Sequence, residues 1–192
     1  MNEARWLVLA MITACSDYEF TSAKDLGAPS TPHGDDTASD DTPDTGSEDE
    51  CYEPDSAYDM HPAAGLVVTQ AQELSVTFEG SDAGYTNELH LSSPSELHLA
   101  TGHLTTEGDS TVLGTFSPGT ELVFSILVTD TGYTFYSGPS SRNADDFVHA
   151  AITYDGDCVW LVGFEDEYGG GDQDFDDIEL TISGPLQMQL VE

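Results

Sequence analysis

The sequence predicts an all-β protein, an antiparallel β-sandwich of jelly-roll-like type that follows a disordered acidic tether. From residue 61 onward, apolar and polar residues alternate with a period of two, which is typical of half-buried strands. Clusters of Gly, Pro, Asp and Ser separate these runs about every 8–12 residues, as in all-β sandwiches. Helical spacing of apolar residues is almost absent, so we expect few helices.

The predicted module spans residues 61–192 and is large enough to form one hydrophobic core. The run 122–128 is one of the longer predicted strands and is rich in β-branched residues, which suit a pleated surface. The predicted strands lie at 66–68, 74–78, 89–91, 97–99, 122–128, 147–154, 158–164, 178–182 and 186–190.

The first residues are typical of an export signal. Arg5 precedes an apolar run at 6–14, and the short sequence Ile12-Thr13-Ala14-Cys15 ends it. This arrangement resembles a bacterial lipoprotein signal at residues 1–14. The resemblance implies that Cys15 is lipidated and anchors the chain to a membrane, and Ser16 after it favours the outer membrane over the inner one. The alternative is a buried N-terminal strand or helix that ends in an ordinary thiol.

Residues 15–60 are predicted to form a disordered acidic tether. From Ser16 to Met60 there are 14 acidic residues and one Lys, with few apolar residues. Such a segment cannot bury enough apolar area to offset the entropy lost on ordering. We interpret it as a stalk that lifts the module off a surface. A generic solubilising tail and a weak calcium sponge are the alternatives.

The charge of the chain excludes some function classes. The chain has 37 Asp or Glu against 3 Lys or Arg, a formal net charge of -34. A nucleic-acid partner needs a basic surface that displaces counterions from phosphates, and this chain has none. No apolar run reaches the roughly 18 residues that a membrane-spanning helix needs.

One hairpin turn is predicted at Asp155-Gly156, because Asp-Gly is favoured in two-residue type I′ turns. This turn would pair Ala151 with Trp160. Farther from the turn it would place Asp146 opposite Glu165 and Asp145 opposite Asp166. Like charges in facing positions destabilise a sheet, so these carboxylates either spread into water or are held by a cation.

The strongest motif is an acidic, glycine-rich segment that begins at Gly163-Phe164-Glu165-Asp166 and ends near Glu179. Three glycines at 169–171 allow the backbone to fold close to an ion. Oxygen-only donors without Cys or His favour calcium over zinc. In an extended backbone, Asp172, Asp174 and Asp176 would point to one side. The predicted calcium ligands are Glu165, Asp166, Asp172, Asp174, Asp176, Asp177, Asp145 and Asp146.

Two known calcium loops do not fit this segment. In an EF-hand, Gly stands where Asp177 is found and Glu stands where Ser183 is found. A nonapeptide calcium roll needs repeated copies, and there is one. A solvated acidic loop without an ion is the alternative interpretation.

The block Gly163-Phe164-Glu165-Asp166, a glycine-rich gap and Asp172-x-Asp174-Phe175-Asp176-Asp177-Ile178 resembles the end of domain-of-unknown-function family 4114. Upstream similarity includes the run from Phe116 to Phe124 and the strand near His149, so the resemblance covers about residues 113–183. Family members usually have Asn where Asp176 stands. The resemblance implies an extracytoplasmic bacterial β-module that binds calcium and has no assigned reaction.

The cysteines are candidates for a disulfide bond, and the histidines are candidates for a metal site. If Cys15 is lipidated, Cys51 and Cys158 remain as a pair that can form a disulfide in an oxidising compartment; the alternative is two separate thiols. Glu88-Leu89-His90-Leu91 recurs as Glu96-Leu97-His98-Leu99, and a hairpin that turns around Pro94 would set His90 against His98, with His103 nearby. We favour the interpretation that these histidines are polar, solvent-facing residues that alternate with core Leu over the alternative that they bind zinc or copper.

No nucleophile, metalloprotease or phosphate-binding motif occurs, and Arg142 is the only Lys or Arg of the module. We therefore expect a lipid-anchored, extracytoplasmic calcium-binding sandwich in a bacterial cell envelope. It would serve surface adhesion or contact a surface glycan or envelope protein, without catalysis. Tyr133, Phe135 and Tyr136 could form a contact face, although core packing is favoured for them. The alternatives are a structural envelope protein without a specific ligand and a carboxylate-based hydrolase.

Overall fold

The structure is a computed structural model that describes Pro54 and residues 59–190. These residues belong to one compact unit, Asp44–Glu192. Within the described part, no helix is long and apolar enough to cross a membrane. The predicted signal peptide, the lipidation site Cys15 and nearly all of the tether lie outside the described residues. The first strand begins at His61.

In the described part of the chain, twelve strands, numbered in chain order, form two antiparallel sheets that pack together, which confirms the predicted all-β sandwich. The only helix in the described part is a short 3-10 turn at Ser140–Arg142. The first sheet contains β1 (His61–Pro62), β9 (Ala150–Gly156), β10 (Val159–Phe164), β11 (Ile178–Ser183), β3 (Glu73–Gly80) and β6 (Ser110–Thr115), in that spatial order. The second contains β12 (Leu186–Gln189), β2 (Gly65–Val68), β7 (Glu121–Val128), β4 (Asn87–Ser93) and β5 (Leu97–Thr101), with β8 (Tyr133–Tyr136) also paired to β7.

The core lies between the two sheets and is built from the alternating apolar residues. On β10, Trp160 and Val162 are fully buried, and on β11, Leu180 and Ile182 are fully buried. Phe124 on β7, in the second sheet, belongs to the same buried hydrophobic cluster. Burial of each such side chain stabilises the fold by about 1.5–3 kcal/mol. The period-two pattern therefore determined which face of each strand turns inward.

The predicted hairpin of the two Glu-Leu-His-Leu repeats is confirmed. β4 pairs with β5 so that His90 lies directly opposite His98. Their ring centroids are 5.2 Å apart and the rings are nearly perpendicular. His103 contacts the carbonyl oxygen of Ala83 at 3.0 Å.

The predicted register of the β9–β10 hairpin is wrong. Trp160 pairs with Tyr154 and Gly163 pairs with Ala151, whereas the prediction paired Trp160 with Ala151. The turn residues are Asp157 and Cys158, two positions beyond the predicted turn, and both have positive φ, as does Gly156 before them.

Burial explains the observed register of this hairpin. Ile152, Tyr154, Trp160 and Val162 are all buried on one face, and facing residues in an antiparallel pair share a face. The predicted register would have turned half of these side chains to the other face. The hydrophobic pattern therefore outweighed the Asp-Gly turn preference. β9 also begins at Ala150, three residues later than predicted, so Asp145 and Asp146 precede the strand.

Cys158 is disulfide-bonded. Cys51 lies outside the described residues, so the pairing of Cys51 with Cys158 stays a prediction. The bond anchors the tip of the β9–β10 hairpin.

Candidate metal centre

The acidic loop leaves β10 after Phe164 and returns to β11 at Ile178. It folds back over the end of β10 because the buried side chain of Phe175 packs there. The carbonyl oxygen of Phe175 occupies the space where a Cβ on Gly163 would lie, so only glycine fits at that position. The N–H of Asp177 donates to the carbonyl oxygen of Phe164 at 3.1 Å and closes the loop.

The loop is not extended as predicted for Asp172, Asp174 and Asp176. Gln173 and Phe175 have φ values of 65° and 59°, in the left-handed region. Even so, carboxylate oxygens of Glu165, Asp172 and Asp174 all lie within 4.8 Å of one another. We call these three residues the carboxylate cluster. The fold therefore brings together three of the eight predicted ligands through a curved backbone.

Glu165 is the buried member of the carboxylate cluster. It is 1 % exposed, and its Oε1 accepts a 2.8 Å hydrogen bond from the N–H of Phe175. Its Oε2 lies against Gly171, where a Cβ would have no room. Burial, together with the charges of Asp177, Asp174 and Asp172, raises the pKa of Glu165 to about 7 against the opposing hydrogen bond from Phe175.

A second pair of carboxylates, Asp166 and Asp177, lies beside the cluster. Asp166 is 3 % exposed, and its N–H donates to Asp177 Oδ2 at 2.8 Å. Asn87 Nδ2 donates to Asp166 Oδ2 at 2.7 Å from strand β4 of the other sheet. Burial and the charge of Asp166 together raise the pKa of Asp177 to about 6, against the opposing hydrogen bond from the N–H of Asp166.

Glu165 and Asp172 of the carboxylate cluster, together with Asp166 and Asp177, line one cavity of about 430 Å³, whereas Asp174 does not line it. Asp176 lies on the exposed side of the loop. Partial desolvation raises the pKa of Asp176, and so do a hydrogen bond with Asp174 and the charge of Asp174. The cavity is lined by Gly84, Tyr85, Glu165, Asp166, Glu167, Gly171, Asp172 and Asp177.

Asp145 and Asp146 do not join the carboxylate cluster. The Oδ2 of Asp145 accepts hydrogen bonds from His149 Nε2 at 2.9 Å and from the N–H of Gly169 at 2.8 Å. Burial raises the pKa of Asp145, but these hydrogen bonds and one from Phe147 outweigh it, so the pKa is lowered overall. Asp146 is exposed and has a φ of 60°. Asp145 therefore holds the start of the glycine run in place.

His149 connects Asp145 to the cluster. Its ring is fully buried and stacks on Phe135 with centroids 3.6 Å apart. Nδ1 lies 3.1 Å from the carbonyl oxygen of Glu165, and Nε2 lies 2.9 Å from the Asp145 carboxylate. The ring therefore links the side chain of Asp145 to the backbone of Glu165 and fixes the positions of both.

Sequence analysis missed Asn87 as a site residue. Asn87, Leu89 and Leu91 alternate along β4 and are all buried, so Asn87 occupies a core-facing position. A polar residue in phase with core leucines is a signal that could have identified it. Its Oδ1 is buried and has no hydrogen-bond partner among the described residues.

Of Tyr133, Phe135 and Tyr136, for which core packing was favoured over a contact face, only Phe135 packs in the core, and the three do not form one surface. Phe135 is buried in the core, Tyr136 is partly buried and Tyr133 is exposed. Strand alternation turns the side chains of Tyr133 and Tyr136 to different faces.

No protein-family model matches the chain, and no curated protein matches it in sequence. The resemblance to domain-of-unknown-function family 4114 therefore stays a prediction.

Proposed function

We propose that this protein is a lipid-anchored, extracytoplasmic calcium-binding β-sandwich of a bacterial cell envelope, which serves adhesion and does not catalyse a reaction. One observation carries the calcium proposal. The buried carboxylate of Glu165 lies beside those of Asp172 and Asp174, with one oxygen of each within 4.8 Å of the others. The anchor and the location are supported by the signal-like residues 1–14 and Cys15.

Repulsion within the carboxylate cluster favours a bound cation. Two like charges about 5 Å apart repel by on the order of 3 kcal/mol at an effective dielectric constant of about 20. Without an ion, the cluster relieves this repulsion by protonation, as the raised pKa of Glu165 indicates. A divalent cation removes the repulsion at neutral pH without a proton.

The donor set of the cavity fits calcium. Calcium takes six to eight oxygen ligands in a flexible geometry, and the cavity offers carboxylates from both groups of acids. Neither Cys nor His lines it, which disfavours zinc. Asn87 adds a buried amide oxygen without a partner, next to Asp166.

Calorimetric titration with calcium, together with thermal melts in calcium and in chelator, tests the proposal. We expect calcium to raise the melting temperature of the wild type, and Glu165→Gln and Asp172→Asn to weaken binding at least tenfold. Glu107→Gln is the matched control, because Glu107 is exposed and lies outside the cavity. Superimposable melts of the wild type in calcium and in chelator would rule out a calcium site.

A carboxylate-based hydrolase is the second candidate, and the raised pKa of Glu165 is the observation that favours it. A general acid works best with a pKa near the operating pH, and retaining glycosidases place two carboxyl groups about 5 Å apart. However, the side chain of Glu165 is almost completely covered, which leaves little room for a sugar at its oxygens. Turnover of a chromogenic glycoside that Glu165→Gln abolishes would favour the hydrolase over the binding module.

A further inference from the structure

A second cavity, of about 230 Å³, lies next to the carboxylate cavity and is lined mainly by tyrosines. Tyr85, Tyr133 and Tyr168 are 37 %, 43 % and 56 % exposed. Among the described residues they are the tyrosines with more than a third of their surface exposed, and all three line this cavity. We call it the tyrosine pocket; its lining is Tyr85, Thr131, Tyr133, Asp166, Glu167 and Tyr168.

The rings of the tyrosine pocket are held in place before any ligand arrives. Tyr133 and Tyr168 contact each other with centroids 4.9 Å apart. Tyr133 also stacks on Phe135, which in turn stacks on the buried ring of His149. A continuous row of rings therefore supports the pocket from the core, which lowers the entropy lost when a ligand binds.

The charge of the tyrosine pocket is negative and is not compensated by the described chain. The carboxylates of Asp166 and Glu167 line it. Arg142 is the only Lys or Arg in the described part, and its guanidinium donates to both carboxylate oxygens of Glu121, at 2.8 and 2.9 Å. The net charge of the whole chain, -34, adds a field that attracts cations.

We propose that the tyrosine pocket binds an ammonium group carried by a partner molecule. Aromatic faces attract cations through the ring quadrupole, and pockets of several aromatic rings hold alkylated ammonium groups in this way. Carboxylates beside the rings add a charge-assisted attraction. A neutral sugar also stacks on tyrosines, but it leaves both carboxylates without a counter-charge, so charge complementarity favours the ammonium.

This ligand goes beyond the proposed calcium site, although Asp166 lines both cavities. Because the two proposals need different ligands, they are measured separately. The ammonium titrations are carried out in chelator, so their outcome does not depend on calcium binding.

Calorimetric or NMR titration of the chain with three small molecules tests the inference. Choline carries a trimethylammonium group, n-butylammonium mimics a lysine side chain, and 3,3-dimethylbutan-1-ol is the neutral isostere of choline. We expect an ammonium to bind about tenfold or more tightly than the neutral isostere, in the range that cation–π contacts give in desolvated sites. The tighter ammonium identifies the source as a trimethylated headgroup or a primary amine.

Variants distinguish the contribution of the tyrosine rings to ammonium binding from that of the Glu167 carboxylate. The double substitution Tyr133→Leu with Tyr168→Leu should weaken ammonium binding about tenfold, and Glu167→Gln should weaken it about threefold. Tyr136→Leu is the control, since Tyr136 lies on the same strand but outside the pocket, and it should bind within twofold of wild type. Thermal melts verify that each variant is folded.

Three results would overturn the inference. One is equal affinity for choline and its neutral isostere, which would show that charge plays no part. Another is binding of glucose or galactose by a chain that binds neither ammonium, which would assign the pocket to a neutral glycan. The third is no measurable binding of either ammonium to the folded wild type.

Discussion

The two ends of strand β10 are held by different forces. At the Val159 end, the turn residue Cys158 is disulfide-bonded, and the hairpin tip is fixed covalently. At the Phe164 end, Glu165 and Asp166 are buried among other carboxylates that repel them. The comparison shows that one strand can have an end that is insensitive to pH and ions and an end whose stability depends on both.

The largest effect is expected at the covalent end. Cys158→Ser should lower the free energy of unfolding by about 2–5 kcal/mol, the usual loss on removal of a native disulfide. Urea denaturation at constant pH measures it. If Cys51 is the partner, Cys51→Ser loses the same amount and the double variant loses no more than either single one. A greater loss in the double variant would contradict the pairing.

At the acidic end, Gly163→Ala should lower the free energy of unfolding by about 3 kcal/mol, because its Cβ would clash with the backbone carbonyl of Phe175. The displaced loop should also lose calcium affinity. Gly84→Ala is the matched control for stability, since a Cβ there meets nothing within 4 Å; because Gly84 lines the cavity, Glu107→Gln is the control for calcium affinity. Denaturation and calcium titration of both variants test this, and equal stability of the two would contradict the observed loop packing.

The acidic end should also depend on pH in chelator. The pKa values of Glu165 and Asp177 in the folded state, about 7 and about 6, exceed their ordinary values of 4.5 and 3.8. The folded state therefore keeps protons that the unfolded chain has lost, and the free energy of unfolding falls as pH rises. The fall between about pH 4.5 and about pH 7.5 should be about 2 kcal/mol after relaxation of the buried site.

Two comparisons sharpen the pH experiment. Glu165→Gln should flatten this part of the pH profile, while Glu107→Gln should leave it unchanged. Saturating calcium should reduce the fall, because the ion stabilises the deprotonated cluster. A wild-type profile that is already flat in chelator would show that the cluster is ionised and solvated across the range.

The smallest effect is expected at Asn87. Asn87→Ala removes the 2.7 Å hydrogen bond to the buried carboxylate of Asp166 and should cost about 1 kcal/mol in chelator. Denaturation curves at one pH measure the difference. An unchanged free energy of unfolding would mean that water replaces the amide at no cost.

The sequence was sufficient for elements whose side chains alternate clearly. The leucines of the two Glu-Leu-His-Leu repeats fixed the β4–β5 hairpin and placed His90 opposite His98. The acidic segment was likewise recognisable, since Glu165, Asp172 and Asp174 are oxygen donors close together in the chain. In both cases the contacting residues are close together in the chain, so their spacing in the sequence was enough to predict the contact.

Contacts between distant parts of the chain could not be predicted. Asp145 was assigned to the cluster from a register that the buried faces of β9 and β10 exclude, and it instead binds His149 and the N–H of Gly169. Asn87 reaches Asp166 from a strand 79 residues away in sequence. Neither partner follows from the residues next to it.

The sequence by itself determined the all-β class, the inward face of most strands and the concentration of carboxylates after β10. Only the tertiary structure decided which carboxylates are buried together and which tyrosines share the neighbouring pocket. The physical reason is that hydrophobic periodicity acts within a strand, whereas desolvation and repulsion depend on what the opposing elements place around each group.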